Sequence, residues 1–277
     1  KPESVLTSFI RLINIARPDA FSLNFAILAC GFTRRETLGR QLHNWAYKIG
    51  AIVADTHVPT ALVRMYIGFG ERRSARKVFD EISKRDLVQW NVMMDGYVKL
   101  GSEGEALILF KEMLVEGNKP DVFCVTTALK ACASSGAISQ GKWIHEYLKK
   151  EKPFQMDVFV GTALVDMYAK CGYIEIAEKM FDEMAERNVF TWAAMIGGYA
   201  THGQAWEAIH CFEKMQEVGV PPDGVVLLAM LTACTHAGLL EEGQALLTKM
   251  QREFGIALRH EHYSCLVDLL CRARRLE

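Results

Sequence analysis

The sequence predicts an all-α protein, a solenoid of stacked helix-turn-helix units, and three observations carry that prediction. The phrase TALVRMYIGFG at residues 60–70 returns as TALVDMYAKCG at 162–172, a step of 102 residues. The same step carries Cys30 to Cys132 to Cys234, His43 to His145, Trp45 to Tyr147, Tyr66 to Tyr168, Phe79 to Phe181, Trp90 to Trp192 and Asp166 to Asp268. Chance does not align so many residues, whereas an internal repeat does. Apolar residues also recur at helical spacing and nowhere alternate as in a strand. Leu164, Met167, Tyr168 and Cys171 stand at i, i+3, i+4 and i+7, Gly172 interrupts, and Ala177, Met180, Phe181 and Met184 resume the pattern.

Within the 102-residue period the chain divides again, and the elements follow in order. Residues 1–19 match only the second helix of a 35-residue unit. Residues 20–55, 122–157 and 224–259 form a 36-residue type marked by LAC, KAC or TAC. Residues 56–86 and 158–188 form a 31-residue type ending FDEISKRD or FDEMAERN, and 87–121 and 189–223 a 35-residue type ending KPD or PPD. In the last type Trp90, Met93, Met94 and Tyr97 give the first apolar stripe. Residues 260–277 open one more 31-residue unit and stop at RRLE. One hairpin cannot bury its apolar face alone, so successive units stack into two layers of helices. Both ends leave apolar faces uncapped, which marks the chain as a piece of a longer protein.

Half of the residues are hydrophobic, enough for a sizeable core. The formal charge of −1 argues against a strongly basic nucleic-acid binder held mainly by phosphate contacts, though not against one that reads bases by stacking and hydrogen bonds. The eight cysteines show no C-x-x-C spacing, so they read as reduced, mostly buried thiols rather than a zinc site or disulfide framework. No apolar run reaches the ~18 residues that span a bilayer, and the N-terminus lacks a signal-peptide layout, which predicts a soluble protein. No cofactor, metal or catalytic constellation is expected. In HEHY at 260–263, His260 and His262 read as a loop into the last unit, and His43 and His145 as satisfied core histidines.

The rotating lengths, with NVMMDGY…EALILFKEM…GNKPD, TALVDMYAKCG…AEKMFDEMAERN and ALKACASSGAISQGKWIH, resemble the pentatricopeptide repeat family in its plant subclass of alternating P, L and S motifs. The resemblance covers essentially the whole chain. It implies a right-handed superhelix that binds single-stranded RNA, one repeat to one base. In that family the fifth and last residues of a repeat select the base and the second residue packs on its face. Carried onto this chain, the selecting pairs are Asn24 with Asp55, Thr60 with Asp86, Asn91 with Asp121, Thr126 with Asp157, Thr162 with Asn188, and Ala193 with Asp223. Thr with Asp implies G, Thr with Asn implies A, and Asn with Asp implies U. Thr126 and Asp157 belong to the less dependable 36-residue type, Ala193 has no hydrogen bond to give, and Leu228 with Arg259 has lost the pattern.

The second positions are Phe21, His57, Val88, Phe123, Phe159, Phe190 and Val225, which serve as stacking platforms or as caps of the core between repeats. Lys99 and Lys170 share the thirteenth position, where they reach phosphates or simply sit solvated at a helix end. Thr162 and Asn188 avoid the apolar stripe and are expected in an exposed groove. HEHYSCLVDLLCRARRLE, following LTACTHAGLLEEGQALLTKM, further resembles the terminal motifs that precede the extension of plant organellar RNA editing factors. This implies site recognition for C-to-U editing in plastid or mitochondrion, with organellar RNA and other editing proteins as partners and no membrane or small-molecule substrate. RNA stabilisation, splicing or translation, and a protein-protein scaffold, are the alternatives. Asp or Asn closing six consecutive units between 20 and 223 favours RNA over the scaffold.

Overall fold

The computed structural model describes residues 2–13, 15, 18–54, 56–150 and 157–272. The chain forms two compact units, Lys1–Ala131 and Cys132–Glu277. The first contains α1 (Pro2–Ile13), α2 (Ala20–Thr33), α3 (Glu36–Lys48), α4 (Ala51–Ala54), α5 (His57–Phe69), α6 (Arg72–Asp80), α7 (Leu87–Lys99) and α8 (Glu103–Val115). The division falls within α9 (Val122–Ser135). The second unit continues with α10 (Ile138–Lys150), α11 (Val158–Lys170), α12 (Ile174–Glu183), α13 (Val189–Thr201), α14 (Ala205–Glu217), α15 (Gly224–Ala237), α16 (Leu240–Phe254) and α17 (His260–Arg272).

These helices pair as the sequence predicts, two to a repeat. One addition is the single turn α4, AIVA, in the tail of the repeat 20–55, which the periodicity does not separate from its surroundings. Glycine makes the hairpins possible: Gly70 and Gly172 close α5 and α11 with φ of 82° and 89°, a left-handed conformation that a Cβ disfavours. In the first unit the leading helices pack in series, α2 on α5 and α5 on α7. In the second, α11 packs on α13, α13 on α15 and α15 on α17.

The stripes read from sequence are the core. Leu164, Met167, Tyr168, Ala177, Met180 and Phe181 are buried, as are Trp90, Met93, Met94 and Tyr97, while Cys171 and Met184 are half-buried. Each 31-residue repeat is locked to the next by an aromatic corner. Phe79 meets Trp90 edge-on at 5.1 Å with the Arg85 guanidinium 4.7 Å from the Phe79 ring centre, and Phe181 meets Trp192 at 4.9 Å with Arg187 likewise at 4.7 Å. The arginines are held in turn by the carbonyls of Phe79 and Phe181. His43, half-buried, and His145, buried, are hydrogen-bonded at 2.8 Å to Tyr66 and Tyr168, but His145 is not the satisfied core histidine expected, because its buried Nε2 has no partner.

Thiols follow the same logic. Cys30, Cys124, Cys132, Cys211 and Cys234 are buried. Burial pushes the thiols of Cys30 and Cys234 up to about 11 and those of Cys124 and Cys211 up to about 12, so they stay protonated and unreactive. Among the described residues no helix is long and apolar enough to cross a membrane.

Candidate nucleic-acid interface

Every described residue that closes a complete repeat from 56 to 223 begins the next helix as its N-cap. A helix start leaves backbone N–H groups without intrahelical partners, and a short side-chain oxygen there satisfies one of them. Oδ1 of Asp86 accepts from the Gln89 amide at 2.9 Å, Asp121 from Cys124 at 2.8 Å, and Asp157 from Val160 at 2.8 Å. Asn188 accepts from Thr191 at 3.0 Å, and Asp223 from both Val225 and Val226 at 3.0 Å. Asp55 lies outside the described residues. Asp19, absent from the candidates that the sequence offers, does the same for α2 through Ser22, whose hydroxyl and amide hold its carboxyl below the usual range. Its signal is RPD ahead of α2, parallel to KPD and PPD.

This corrects one inference from sequence. Any stack of helical hairpins needs caps, so recurrent Asp and Asn at these places do not by themselves separate an RNA reader from a scaffold. What the caps do is fix orientation. With Oδ1 turned to the helix, an aspartate points Oδ2 elsewhere as an acceptor, and Asn188 points Nδ2 as a donor.

The fifth residues stand one turn into the leading helices. Thr60 donates its hydroxyl hydrogen to the Thr56 carbonyl at 2.9 Å, and Thr126 to Val122 at 2.8 Å. Asn91 takes the Thr127 hydroxyl on Oδ1 at 2.8 Å, so its Nδ2 is left as the donor. The Thr162 hydroxyl meets that of Thr191 at 2.7 Å. Thr162 and Asn188 are half-buried and hydrogen-bonded, a correction to the exposed groove expected of them, because the next helix packs alongside. Asn24 and Leu228 are half-buried too, and Ala193 is buried.

Second residues behave differently. Phe21, Val88, Phe123, Phe159, Phe190 and Val225 keep 51–70% of their surface exposed although a buried residue follows each within two positions, and His57 is exposed as well. Phe21 rests edge-on against Phe25. Side chains this exposed give most of their apolar surface to solvent rather than to the core between repeats. The rows are Phe21, His57, Val88 and Phe123 in the first unit, and Phe159, Phe190 and Val225 in the second.

Lys99 and Lys170 pair within their own helices with Asp95 and Asp166, and Arg272 repeats the arrangement with Asp268. The acid four residues earlier is visible in the sequence; the pairing is not. HEHY is the first turn of α17 rather than a loop, because His262 is buried and caps the helix: Nδ1 accepts from the Arg259 amide at 3.0 Å and Nε2 reaches the Gly224 carbonyl at 2.8 Å. With both ring nitrogens engaged it is no metal ligand. Its reach is part of a pattern that the sequence does not reveal, in which a third residue bonds the first carbonyl of the preceding repeat: Gln89 to Thr56, Cys124 to Leu87 and His262 to Gly224.

Comparison with known proteins supplies a frame for this interface. The model of the PPR repeat family matches residues 85–134 and 187–236, and that of the PPR repeat matches 162–189 and 225–253. A putative pentatricopeptide repeat-containing protein of Arabidopsis thaliana is 52% identical over 261 residues, 94% of this chain and 52% of its own length. A second from Arabidopsis is 42% identical over 243 residues, 87% of this chain and 43% of its own. The chain thus spans about half the length of these relatives. Others from Arabidopsis, 37% and 35% identical, are named mitochondrial and chloroplastic. Among solved structures, that of the protein PPR10, known from maize, in complex with an 18-nt psaJ RNA element is 18% identical with a TM-score of 0.61, covering 99% of this chain and 46% of the other.

Proposed function

Because the chain belongs to the PPR repeat family, we propose that it binds single-stranded RNA sequence-specifically, one base to a repeat, with second residues against base faces and fifth and last residues at base edges. As an array of such repeats this stretch is a binding module, not an enzyme. The observation that carries the reading is the hydrogen-bond polarity left over at each pair after the fold has taken its share. Thr60 and Asp86 offer two acceptors, which suit the N1–H and N2–H of guanine. Asn91 and Asp121 offer a donor and an acceptor, the complement of a uracil carbonyl and N3–H. Thr162 offers an acceptor and Asn188 a donor, the complement of adenine N6–H and N1. Each agrees with the base that family resemblance assigns. Thr126 with Asp157 favours a purine, Ala193 leaves Asp223 to act alone, and Asn24 would act with Asp55.

Site recognition for organellar C-to-U editing is the biological role that the 31, 35 and 36 rotation and the terminal motif support best, and organelle names among the relatives fit it. Lys99 and Lys170 are assigned to phosphate, with their charge partly spent on Asp95 and Asp166, so the salt dependence is shallow, equivalent to a few contacts at most. The test is selection from random single-stranded RNA, followed by Thr162→Asn with Asn188→Asp, which turns one preferred A into U. Enrichment of no sequence, or equal affinity for duplex, would return the chain to the scaffold reading.

A further inference from the structure

Among the hydroxyls at the candidate interface, Thr191 stands out because its bonding capacity is full. A threonine hydroxyl has one hydrogen to donate and two lone pairs to accept with. The Asn188 backbone N–H donates to Thr191 Oγ1 at 3.2 Å, and Thr191 Oγ1 donates to Asn188 Oδ1 at 3.1 Å. Asn188 Oδ1 also accepts the Thr191 backbone N–H at 3.0 Å. Backbone amides only donate, so they fix the direction of this ring of bonds. With the Thr191 hydrogen on Asn188 Oδ1, the lone pair left on Thr191 faces Thr162 Oγ1 at 2.7 Å, and in that arrangement Thr162 is the donor. Thr191 itself is fully buried at the third place of its repeat.

We propose that Thr191 is the positioning residue that sets what the preceding repeat reads: it consumes the only hydrogen of Thr162 and occupies the carbonyl oxygen of Asn188, leaving an acceptor beside a donor. The inference rests on the reading of Thr162 and Asn188 as the base-selecting pair. Nothing at the third place of the repeat 87–121 does the same, because Gln89 bonds the Thr56 carbonyl and Thr60 donates to that carbonyl itself. Dependence on a third-place hydroxyl thus sets the repeat 158–188 apart from the repeat 56–86; in the repeat 87–121 it is Thr127, at the sixth place of the following repeat, whose hydroxyl engages Asn91.

The experiment measures affinities of the full chain for two RNAs that carry A or G opposite the repeat 158–188, and for two that differ opposite the repeat 56–86. Thr191→Val keeps the shape and removes the hydroxyl, Thr191→Ser keeps the hydroxyl, and Thr191→Cys replaces valine if that variant fails to fold. The expected result is a fall in the A-over-G ratio of about five-fold or more in Thr191→Val, an unchanged ratio at the other repeat, and recovery in Thr191→Ser. A buried group that merely supports the fold lowers affinity for all four RNAs alike and leaves both ratios where they were, and that result overturns the proposal. A wild-type chain with no base preference overturns the base-reading itself, whereas a wild type that prefers A with Thr191→Val preferring it equally overturns this inference alone.

Discussion

The repeats 56–86 and 158–188 differ less in what they spell than in how they hold it. Each places a threonine fifth and a cap last, and each is followed by an aromatic corner of the same geometry, Phe79–Trp90 and Phe181–Trp192. In the first, the Thr60 hydrogen goes to its own helix, and the third residue Gln89 completes a capping box with Asp86. In the second, the Thr162 hydroxyl bonds the Thr191 hydroxyl of the following repeat, and Thr191 completes the box with Asn188. With Thr162 as the donor there, both routes end with a hydroxyl that can only accept. In the proposed reading the base preference then rests on the cap, a second oxygen in Asp86 and an amide nitrogen in Asn188, a position that any helix start requires.

If the two cores are as alike as their corners, Phe79→Ala and Phe181→Ala should each cost about 3–5 kcal/mol, the range for emptying a buried phenyl site. Melts of the two variants that differ by much more than the scatter of such values would show that the repeats are not equivalent supports. The next largest effect is chemical. Asn188→Asp preserves the cap, since the two residues rank together there, and converts the second repeat into the acceptor pair of the first. A preference for A should become one for G, a swing of about 1–3 kcal/mol read by binding to paired RNAs, with the reciprocal change in Asp86→Asn. An inverted preference in one repeat and none in the other would place the reading of that repeat elsewhere than at its cap.

Removing a cap outright is a milder test. Asp86→Ala and Asn188→Ala should each lower stability by about 1 kcal/mol in denaturant melts. The smallest effect is in pH. Burial holds the imidazoles of His43 and His145 below their ordinary range. The unfolded chain then takes up the proton more readily, so this stability is complete above the unfolded value near 6.5 and is lost as pH falls from there through the lower folded value. The melting temperature should drop between pH 7.5 and 5.5, and His145→Asn should flatten the slope. An unchanged slope would assign the acid sensitivity to other groups.

Repeat boundaries, hairpins, core stripes and the second-position aromatics are all legible in the spacing of residues, because a helix writes its buried face into the chain every three or four positions. The four-residue α4 leaves no period to detect. The roles of Thr191, Gln89 and His262 are hidden for a different reason: a third residue that reaches backward to the preceding repeat has no fixed chemistry. It is an amide, a hydroxyl or an imidazole in turn, and only its direction of reach recurs. The lysines at the thirteenth place have an acid four residues earlier in the chain, but that the two side chains meet is seen only in the structure.

By itself the sequence determined the architecture and offered the candidates for the interface: helical repeats of three lengths, caps that are Asp or Asn, and mostly aromatic or aliphatic residues at second positions. It could do so because helix periodicity and capping are local, each settled within a turn or two of chain. The tertiary structure alone decided which atom of each side chain is left over. That is a matter of who donates to whom across a repeat junction, as between Thr162 and Thr191, 29 residues apart, and a hydrogen once given to a neighbour cannot be offered to a base.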